Sequence, residues 1–178
     1  ENTDITTNER GAIVVNDTCE SSVPGVYAVG DVNGGPQFTY ISLDDFRIVF
    51  GALTGNGQYT LKDRKNIPYT TFLTPPLARV GLTEEDAINK GYTVKTKEML
   101  VATMPRAHVN DYLKGAFKIV VDAENNLILG ATLYSQGAEE LINSIKMAMD
   151  NNIPYTYFKN QIFTHPTMAE NLNDLCNF

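Results

Sequence analysis

The chain has 178 residues, of which 43% are hydrophobic and 20% are charged, as in an ordinary globular protein. A net charge of −7 without a dense Lys/Arg run argues against nucleic acid and an anionic membrane surface as partners. No apolar stretch approaches the roughly 18 residues of a membrane span, and the polar start lacks the features of a signal peptide. We therefore expect a cytoplasmic protein, and we interpret the start without Met as the edge of a longer one.

The first part of the chain is expected to form strands, a Gly-rich loop and a helix. Residues 11–15 (GAIVV) and 25–31 (GVYAVGD) are short, apolar and rich in β-branched residues, which is typical of strands buried on both faces of a sheet. The second runs into the loop VNGGPQ. A helix is predicted over residues 38–55, with Thr39 as a possible start and Gly55 as the stop. Its apolar residues at helical spacing are Ile41, Leu43, Phe46, Val49, Phe50 and Leu53.

Residues 55–66 form a polar, Gly-containing run, which is the candidate domain boundary. We therefore predict one domain segment over residues 1–66 and a second domain over residues 67–178. In the second, residues 68–82 are expected to be extended, and a short helix follows over residues 83–91.

The rest of the second domain is expected to be an antiparallel sheet with helices, which is an α+β fold. Strands are predicted over residues 92–101, 115–122 and 126–134, the last two as a hairpin. An amphipathic helix is predicted over residues 137–152, and a short helix from residue 168 to about residue 176. The facing residues of the hairpin are expected to be Phe117, Ile119 and Val121 on one strand, and Leu127, Leu129, Ala131 and Leu133 on the other.

Cys19 and Cys176 lie far apart in the sequence, with no CxxC, CxxxxC or zinc-ligand spacing. We expect one loop thiol and one thiol that packs against a helix. His108 has no second ligand at metal spacing beyond Asp111, so we expect an exposed loop histidine and no metal site.

Gly30 and Asp31 end the second predicted strand, ahead of a Gly-rich loop and a helix. This order suits the polar middle of a dinucleotide. Gly30 lets the backbone approach a ligand, Asp31 can accept from ribityl or ribose hydroxyls, and the helix N-terminus faces an anion or an electron-rich ring. The alternative is that the Gly-Asp pair simply begins a turn.

The stretch FTHPTMAEN, residues 163–171, sets His165 five positions before Glu170. A carboxylate can orient an imidazole and stabilise its cationic form, as a general acid/base requires. The alternative is a capping box, because Thr167 and Glu170 have the S/T-x-x-E spacing in front of a helix. The two interpretations are compatible, and His165–Pro166 is a plausible site for a cis peptide.

Three stretches in this order resemble motifs of the flavoprotein disulfide reductases, the family of glutathione reductase, lipoamide dehydrogenase and mercuric reductase. SSVPGVYAVGDVNGG (21–35) resembles their second flavin-binding fingerprint, and FLTPPLARVGLTEEDA (72–87) resembles the opening of their C-terminal dimerisation domain. HPTMAE (165–170) resembles the His-Pro-Thr-x-x-Glu that ends that domain. Within the family, the resemblance is greatest to the bacterial reactive-chlorine-resistance reductases, which reduce hypothiocyanous acid and are reported to reduce copper(II).

The resemblance implies FAD as cofactor and NADH or NADPH as reductant. It makes residues 1–66 the end of the FAD-binding domain and residues 67–178 the dimerisation domain of a homodimer. The residues that match FAD contacts are Gly30, Asp31, Gln37, Phe38 and Thr39, and Phe72 matches a position near the nicotinamide side of the flavin. His165 matches a histidine whose carbonyl contacts the partner subunit's flavin.

The resemblance also implies that His165 and Glu170 form an acid/base pair for the partner subunit's redox-active cysteines. The family's GxGxxG and CxxxxC motifs and its nicotinamide-binding domain do not occur in this sequence, so we expect the chain alone to be inactive. The implied substrate is a disulfide, a metal ion or a small oxidant such as hypothiocyanous acid. The alternative is a stand-alone dimerisation or binding module without redox chemistry.

Overall fold

The computed structural model describes residues 3–178, which form two compact units that meet in the chain between Lys65 and Asn66. The division lies one residue from the boundary predicted at residues 66 and 67. Within the described residues, no helix is both long and apolar enough to cross a membrane.

The first unit contains one long helix, α1 (Thr39–Thr54). It ends as predicted at Gly55, whose φ of 71° is a left-handed conformation that glycine adopts without strain. The buried face of α1 consists of Ile41, Asp45 and Ile48, which are four and three positions apart and so share one side of the helix.

The apolar stripe predicted for α1 is mostly not the buried face. Ile41 is buried, whereas Leu43, Phe46, Phe50 and Leu53 are between 43% and 64% exposed. A helix that is apolar over much of its circumference has more than one set of apolar residues at helical spacing. The spacing alone does not show which set is buried.

The two segments predicted as buried strands in the first unit are not strands. Among the described residues, Ile13 forms a single antiparallel bridge with Thr7, and Tyr27 forms one with Glu20. Some of their apolar residues are also exposed, such as Val14 and Val26, although Ala28 is buried. An apolar segment becomes a strand buried on both faces only when neighbouring strands pair with it in a sheet. In the described part of this unit, each of the two segments forms only a single bridge.

The second unit is an antiparallel sheet with helices, which confirms the predicted α+β class. Its strands are β1 (Tyr69–Thr71), β2 (Leu77–Gly81), β3 (Val94–Leu100), β4 (Ala116–Asp122) and β5 (Ile128–Tyr134). The strand order is β1-β2-β5-β4-β3, and every neighbouring pair is antiparallel.

Five short to medium helices accompany the sheet. They are α2 (Glu84–Asn89), α3 (Pro105–Val109), α4 (Ala138–Asp150), α5 (Tyr155–Asn160) and α6 (Leu172–Leu175). Helix α2 begins as predicted after Thr83, whose hydroxyl accepts a hydrogen bond from the backbone N–H of Asp86. A 3-10 turn, Ala169–Asn171, directly precedes α6.

Helix α4 supplies one side of the core of the second unit. Its predicted apolar stripe is buried, and the residues are Leu141, Ile142, Ile145, Ala148 and Met149. The sheet contributes Phe117, Ile119 and Leu133 to the same cluster. The burial of this stripe against the sheet accounts for the stability of α4 as a helix.

The predicted hairpin has the right strands but a different register at one end. Phe117 lies opposite Leu133 and Ile119 opposite Ala131, so these members of the two predicted sets do face each other. A register shift between Val120 and Val121 then places Ile128, and not Leu129, opposite Val121. One extra residue in a strand reverses which side chains face the core, so Ile128 is buried.

Candidate functional site

His165 and Glu170 contact each other in the segment that joins α5 to α6. The ring Nδ1 of His165 lies 3.0 Å from each carboxylate oxygen of Glu170. The backbone N–H of Thr167 donates to Glu170 at 3.2 Å, and the N–H of Glu170 donates to the hydroxyl of Thr167 at 3.2 Å. The carboxylate of Glu170 therefore takes part in the capping box and contacts His165 at the same time.

The contact with Glu170 fixes the roles of the two ring nitrogens of His165. An ionised carboxylate only accepts hydrogen bonds, so Nδ1 carries a proton and Nε2 holds the lone pair of the neutral ring. Within residues 3–178, no hydrogen bond engages Nε2 of His165. The side chain of His165 is 71% exposed, whereas that of Glu170 is 16% exposed. The pair can therefore accept or donate a proton at a ring nitrogen of a largely exposed side chain.

Apolar anchors hold this segment on both sides of the histidine. Phe163 and Met168 pack against the core of the second unit, and Leu172 and Leu175 of α6 are fully buried in it. The peptide between His165 and Pro166 is cis, as the sequence suggested. Because the apolar anchors lie before and after the histidine, its ring projects from a fixed backbone.

A second group of candidate residues lies in the first unit, at the 3-10 turn Gly30–Asn33. Gly30 is buried with a φ of 71°, and a Cβ at this position would lie 3.0 Å from the hydroxyl oxygen of Ser42 on α1. Glycine therefore allows the turn to approach the helix closely. Asp31 is exposed, and within residues 3–178 no hydrogen bond or ion pair engages its carboxylate.

The predicted positions at the start of α1 are also exposed. Gln37, Phe38 and Thr39 precede or open the helix, and no side-chain cap covers its N-terminus. The positive end of the helix dipole lies there. A carboxylate that accepts from hydroxyl groups, beside a helix start that favours negative charge, fits the polar middle of a dinucleotide.

Sequence reasoning missed a buried ion cluster in the first unit. Asp45 is fully buried and pairs with Arg64, which also pairs with Asp44. One signal was available, because Asp45 lies on the helix face that Ile41 and Ile48 define. A carboxylate at a core-facing position requires buried partners.

The two thiols are buried and protonated at neutral pH. Burial, with a smaller contribution from Asp45, raises the pKa of Cys19 to about 11. Burial raises the pKa of Cys176 to about 12. Cys19 lies in a loop and Cys176 ends α6, as expected. Thiols of this kind are poor nucleophiles.

The remaining candidates form no site. His108 is exposed as expected, but it lies on α3 and not in a loop, and its Nε2 is 2.8 Å from the carbonyl oxygen of Ala102. Phe72 is 80% exposed. In the part of the chain that the structure describes, no three His, Cys, Asp or Glu side chains could hold a metal ion together.

Comparison with known families identifies the larger part of the chain. Residues 67–176 match the model described as "Pyridine nucleotide-disulphide oxidoreductase, dimerisation domain". The chain belongs to this family. Residues 1–45 match a second model of the family, "Pyridine nucleotide-disulphide oxidoreductase". The family predicted from the three sequence motifs is thereby confirmed.

Relatives in the family include proteins with different substrates in their names. The chain is 49% identical over 175 residues to a "Probable pyridine nucleotide-disulfide oxidoreductase RclA" of Escherichia coli, covering 98% of the chain and 40% of the relative. It is 33% identical over 172 residues to a mercuric reductase of Staphylococcus aureus, covering 97% of the chain and 31% of that enzyme. The chain thus spans well under half the length of these family members.

A solved structure from the same family has the same fold. The "HOCl-induced flavoprotein disulfide reductase RclA from Escherichia coli" superposes with a TM-score of 0.93 at 48% sequence identity. The match covers 97% of the chain and 40% of that structure. The antiparallel sheet with its helices is therefore the dimerisation-domain fold of the family.

Proposed function

We propose that the chain is the C-terminal part of an FAD-dependent NAD(P)H oxidoreductase of the disulfide-reductase type. Residues 1–66 end its FAD-binding domain, and residues 67–178 form its dimerisation domain. The order of the two matched family models and the description of a close relative as a flavoprotein support this assignment. We place the reaction in the cytoplasm.

FAD fits the first unit at the 3-10 turn and the start of α1. Asp31 would accept from hydroxyl groups of the ribityl chain, and the backbone of Gly30 would allow close approach. The start of α1, with Gln37, Phe38 and Thr39, would stabilise negative charge by roughly 0.3–1 kcal/mol. Bound FAD would supply electron transfer from the nicotinamide to the disulfide or oxidant.

His165 acts in this proposal as the acid/base for a cysteine pair of the partner subunit. A free thiol is mostly protonated at neutral pH, so a neighbouring base is needed to supply thiolate. Nε2 of His165 would take the proton of the attacking thiol and return it to the product. The observation that supports this role is that Glu170 binds Nδ1 of a side chain that is 71% exposed, while no hydrogen bond engages Nε2 within residues 3–178.

The second unit forms the proposed two-fold homodimer. A residue that serves the partner's active site must lie at the subunit interface. Ile162, three positions before His165, is 95% exposed, which is unusual for an isoleucine in a segment with buried anchors. We assign Ile162 to the buried part of the interface.

The proposed substrate is a small oxidant such as hypothiocyanous acid, or a related disulfide or metal ion. The description of a relative that is 48% identical as "HOCl-induced" favours an oxidant. A small electrophile needs little more than the cysteine pair and a proton donor. The name of the Staphylococcus aureus relative gives mercury ions as the alternative.

The test is substrate profiling of the full-length protein with NADH and NADPH separately. We expect the purified protein to contain FAD and to oxidise one nicotinamide when hypothiocyanous acid is added, with lower rates for disulfides and mercury(II). A full-length reading frame without an upstream GxGxxG and CxxxxC, or a purified protein without FAD, would contradict the proposal.

A further inference from the structure

The buried ion cluster of the first unit is connected to the candidate flavin-binding turn. Asp45 lies on α1 with no exposed surface, between Ile41 and Ile48 on the same face. Removing a carboxylate from water costs free energy unless hydrogen bonds and opposite charge replace its hydration. The partners of Asp45 therefore indicate what the residue does.

Two of the hydrogen bonds of Asp45 come from the two ends of the turn. Its Oδ2 accepts from the backbone N–H of Gly30 at 2.7 Å and from the side-chain amide of Asn33 at 2.9 Å. The amide of Asn33 also donates to the carbonyl of Ala28, and its oxygen accepts from the N–H of Gly35 at 3.0 Å. One carboxylate oxygen thus fixes the first and last residues of the turn.

The other oxygen of Asp45, Oδ1, accepts a hydrogen bond from Arg64, which follows α1 in the chain. The donor is Nη2 of Arg64 at 2.5 Å, while Nε of Arg64 donates to Asp44 at 2.8 Å. Burial opposes the charge of Arg64, but its bonds to Asp45 and Asp44 outweigh that effect and raise its pKa above the ordinary value. With both oxygens held, the carboxylate has little freedom to rotate.

We propose that Asp45 is a positioning residue for FAD, which holds the Gly30–Asn33 turn so that the carboxylate of Asp31 faces the ligand. Asp45 itself is buried and acts only through the turn. Asp31 follows Gly30 in the turn that these bonds hold, and its side chain is exposed. This inference rests on the proposed FAD site.

The test measures the dissociation constant of FAD for the apoprotein of the full-length protein, by the change in flavin fluorescence on binding. In Asp45→Asn, the new NH₂ group must replace one of the two carboxylate oxygens. In one orientation it faces the donors of Gly30 and Asn33, and in the other it faces the donor of Arg64, so one set of hydrogen bonds is lost either way. We expect the dissociation constant to rise about 10-fold or more. Asp44→Asn is the matched control, because it removes a carboxylate from Arg64 and leaves all the bonds to the turn. We expect a change within about 2-fold for the control.

A double-mutant cycle with Asp31→Asn distinguishes positioning from general loss of stability. If Asp45 acts through Asp31, the double variant binds FAD more tightly than the sum of the two single effects predicts. Additive effects, or an unchanged dissociation constant in Asp45→Asn, would overturn the inference.

Asn33→Ala provides a second route if Asp45→Asn does not fold. It removes one of the two bonds that join Asp45 to the turn, together with the bonds of Asn33 to Ala28 and Gly35, and it leaves the pair of Asp45 with Arg64 intact. Weaker FAD binding at an unchanged apoprotein melting temperature supports the inference, and unchanged binding overturns it. Absence of FAD binding by the unsubstituted protein would instead contradict the proposed function.

Discussion

Glu170 is bound to His165 and to the cap of the last helical segment at the same time. Its carboxylate lies 3.0 Å from Nδ1 of His165 and accepts from the backbone N–H of Thr167 at 3.2 Å. The helix start is therefore a fixed support for the histidine ring. A change at Glu170 is expected to alter both chemistry and stability.

The first prediction concerns Glu170→Gln in the full-length protein. The amide keeps one acceptor oxygen, but its NH₂ group can no longer accept from His165, and the negative charge that stabilises a cationic imidazole is lost. We expect turnover to fall about 10-fold and the free energy of unfolding to fall by about 1 kcal/mol. Steady-state kinetics and urea unfolding measure the two effects. Glu140→Gln, at an exposed acid of α4, is the control, and unchanged turnover in Glu170→Gln would refute the orienting role.

The second prediction concerns His165→Ala. Loss of a positioned acid/base typically reduces a rate by about 10² or more, so we expect a reduction of that order with the disulfide or oxidant substrate. Flavin content is expected to stay unchanged, since the side chain lies outside the proposed FAD turn. His108→Ala is the matched control at the other histidine. Wild-type turnover in His165→Ala would exclude the acid/base role.

The third prediction concerns the proposed dimer. Ile162→Glu places a charge where we expect a buried subunit contact, and desolvating an unpaired carboxylate opposes association. We expect sedimentation velocity to show a monomer, or a dimer that dissociates on dilution. Ile88→Glu, at an exposed isoleucine of α2, should leave the dimer intact. If both variants remain dimeric at low concentration, Ile162 lies outside the interface.

The fourth prediction follows from the buried thiol of Cys176. Burial raises its pKa to about 12 in the folded chain, compared with an ordinary value of 9.0. Below pH 9 the thiol is protonated in both states and contributes no pH dependence. Between pH 9 and 12 the unfolded chain releases a proton that the folded chain keeps, so stability falls as pH rises.

Urea unfolding at pH 8 and pH 10 measures this effect. Between pH 8 and pH 10, we expect the free energy of unfolding of the full-length protein to fall by about 1 kcal/mol more than that of the Cys176→Ala variant, which lacks the titrating thiol. Equal losses in the two proteins would mean that Cys176 ionises as easily in the folded state as in the unfolded one.

The elements that sequence predicted well are those with local signals. Helix α2 begins directly after its cap Thr83 and ends two residues before Gly91, and its capping contacts join residues only three positions apart. The contact of His165 with Glu170 was predictable for the same reason, since the two residues lie five positions apart and Glu170 also forms the capping box with Thr167. Local hydrogen bonds of this kind are encoded by the side chains that make them.

The features that sequence did not predict depend on residues far apart in the chain. The register shift at Val121 is decided by pairing across two strands, and alternation along one strand does not reveal it. Asp45 meets Arg64 across 19 positions, so nothing near Asp45 indicates its partner. The buried face of α1 is likewise determined by what packs against it.

Subunit complementation tests the central claim, that His165 serves the active site of the partner subunit. Full-length His165→Ala is mixed, under exchange conditions, with a variant whose redox-active cysteine is replaced by serine. Each mixed dimer then has one site with both an intact cysteine and an intact histidine. We expect the mixture to regain about one quarter of wild-type activity, although each parent is nearly inactive. No gain above the two parents, with mixed dimers shown to form, would contradict the claim.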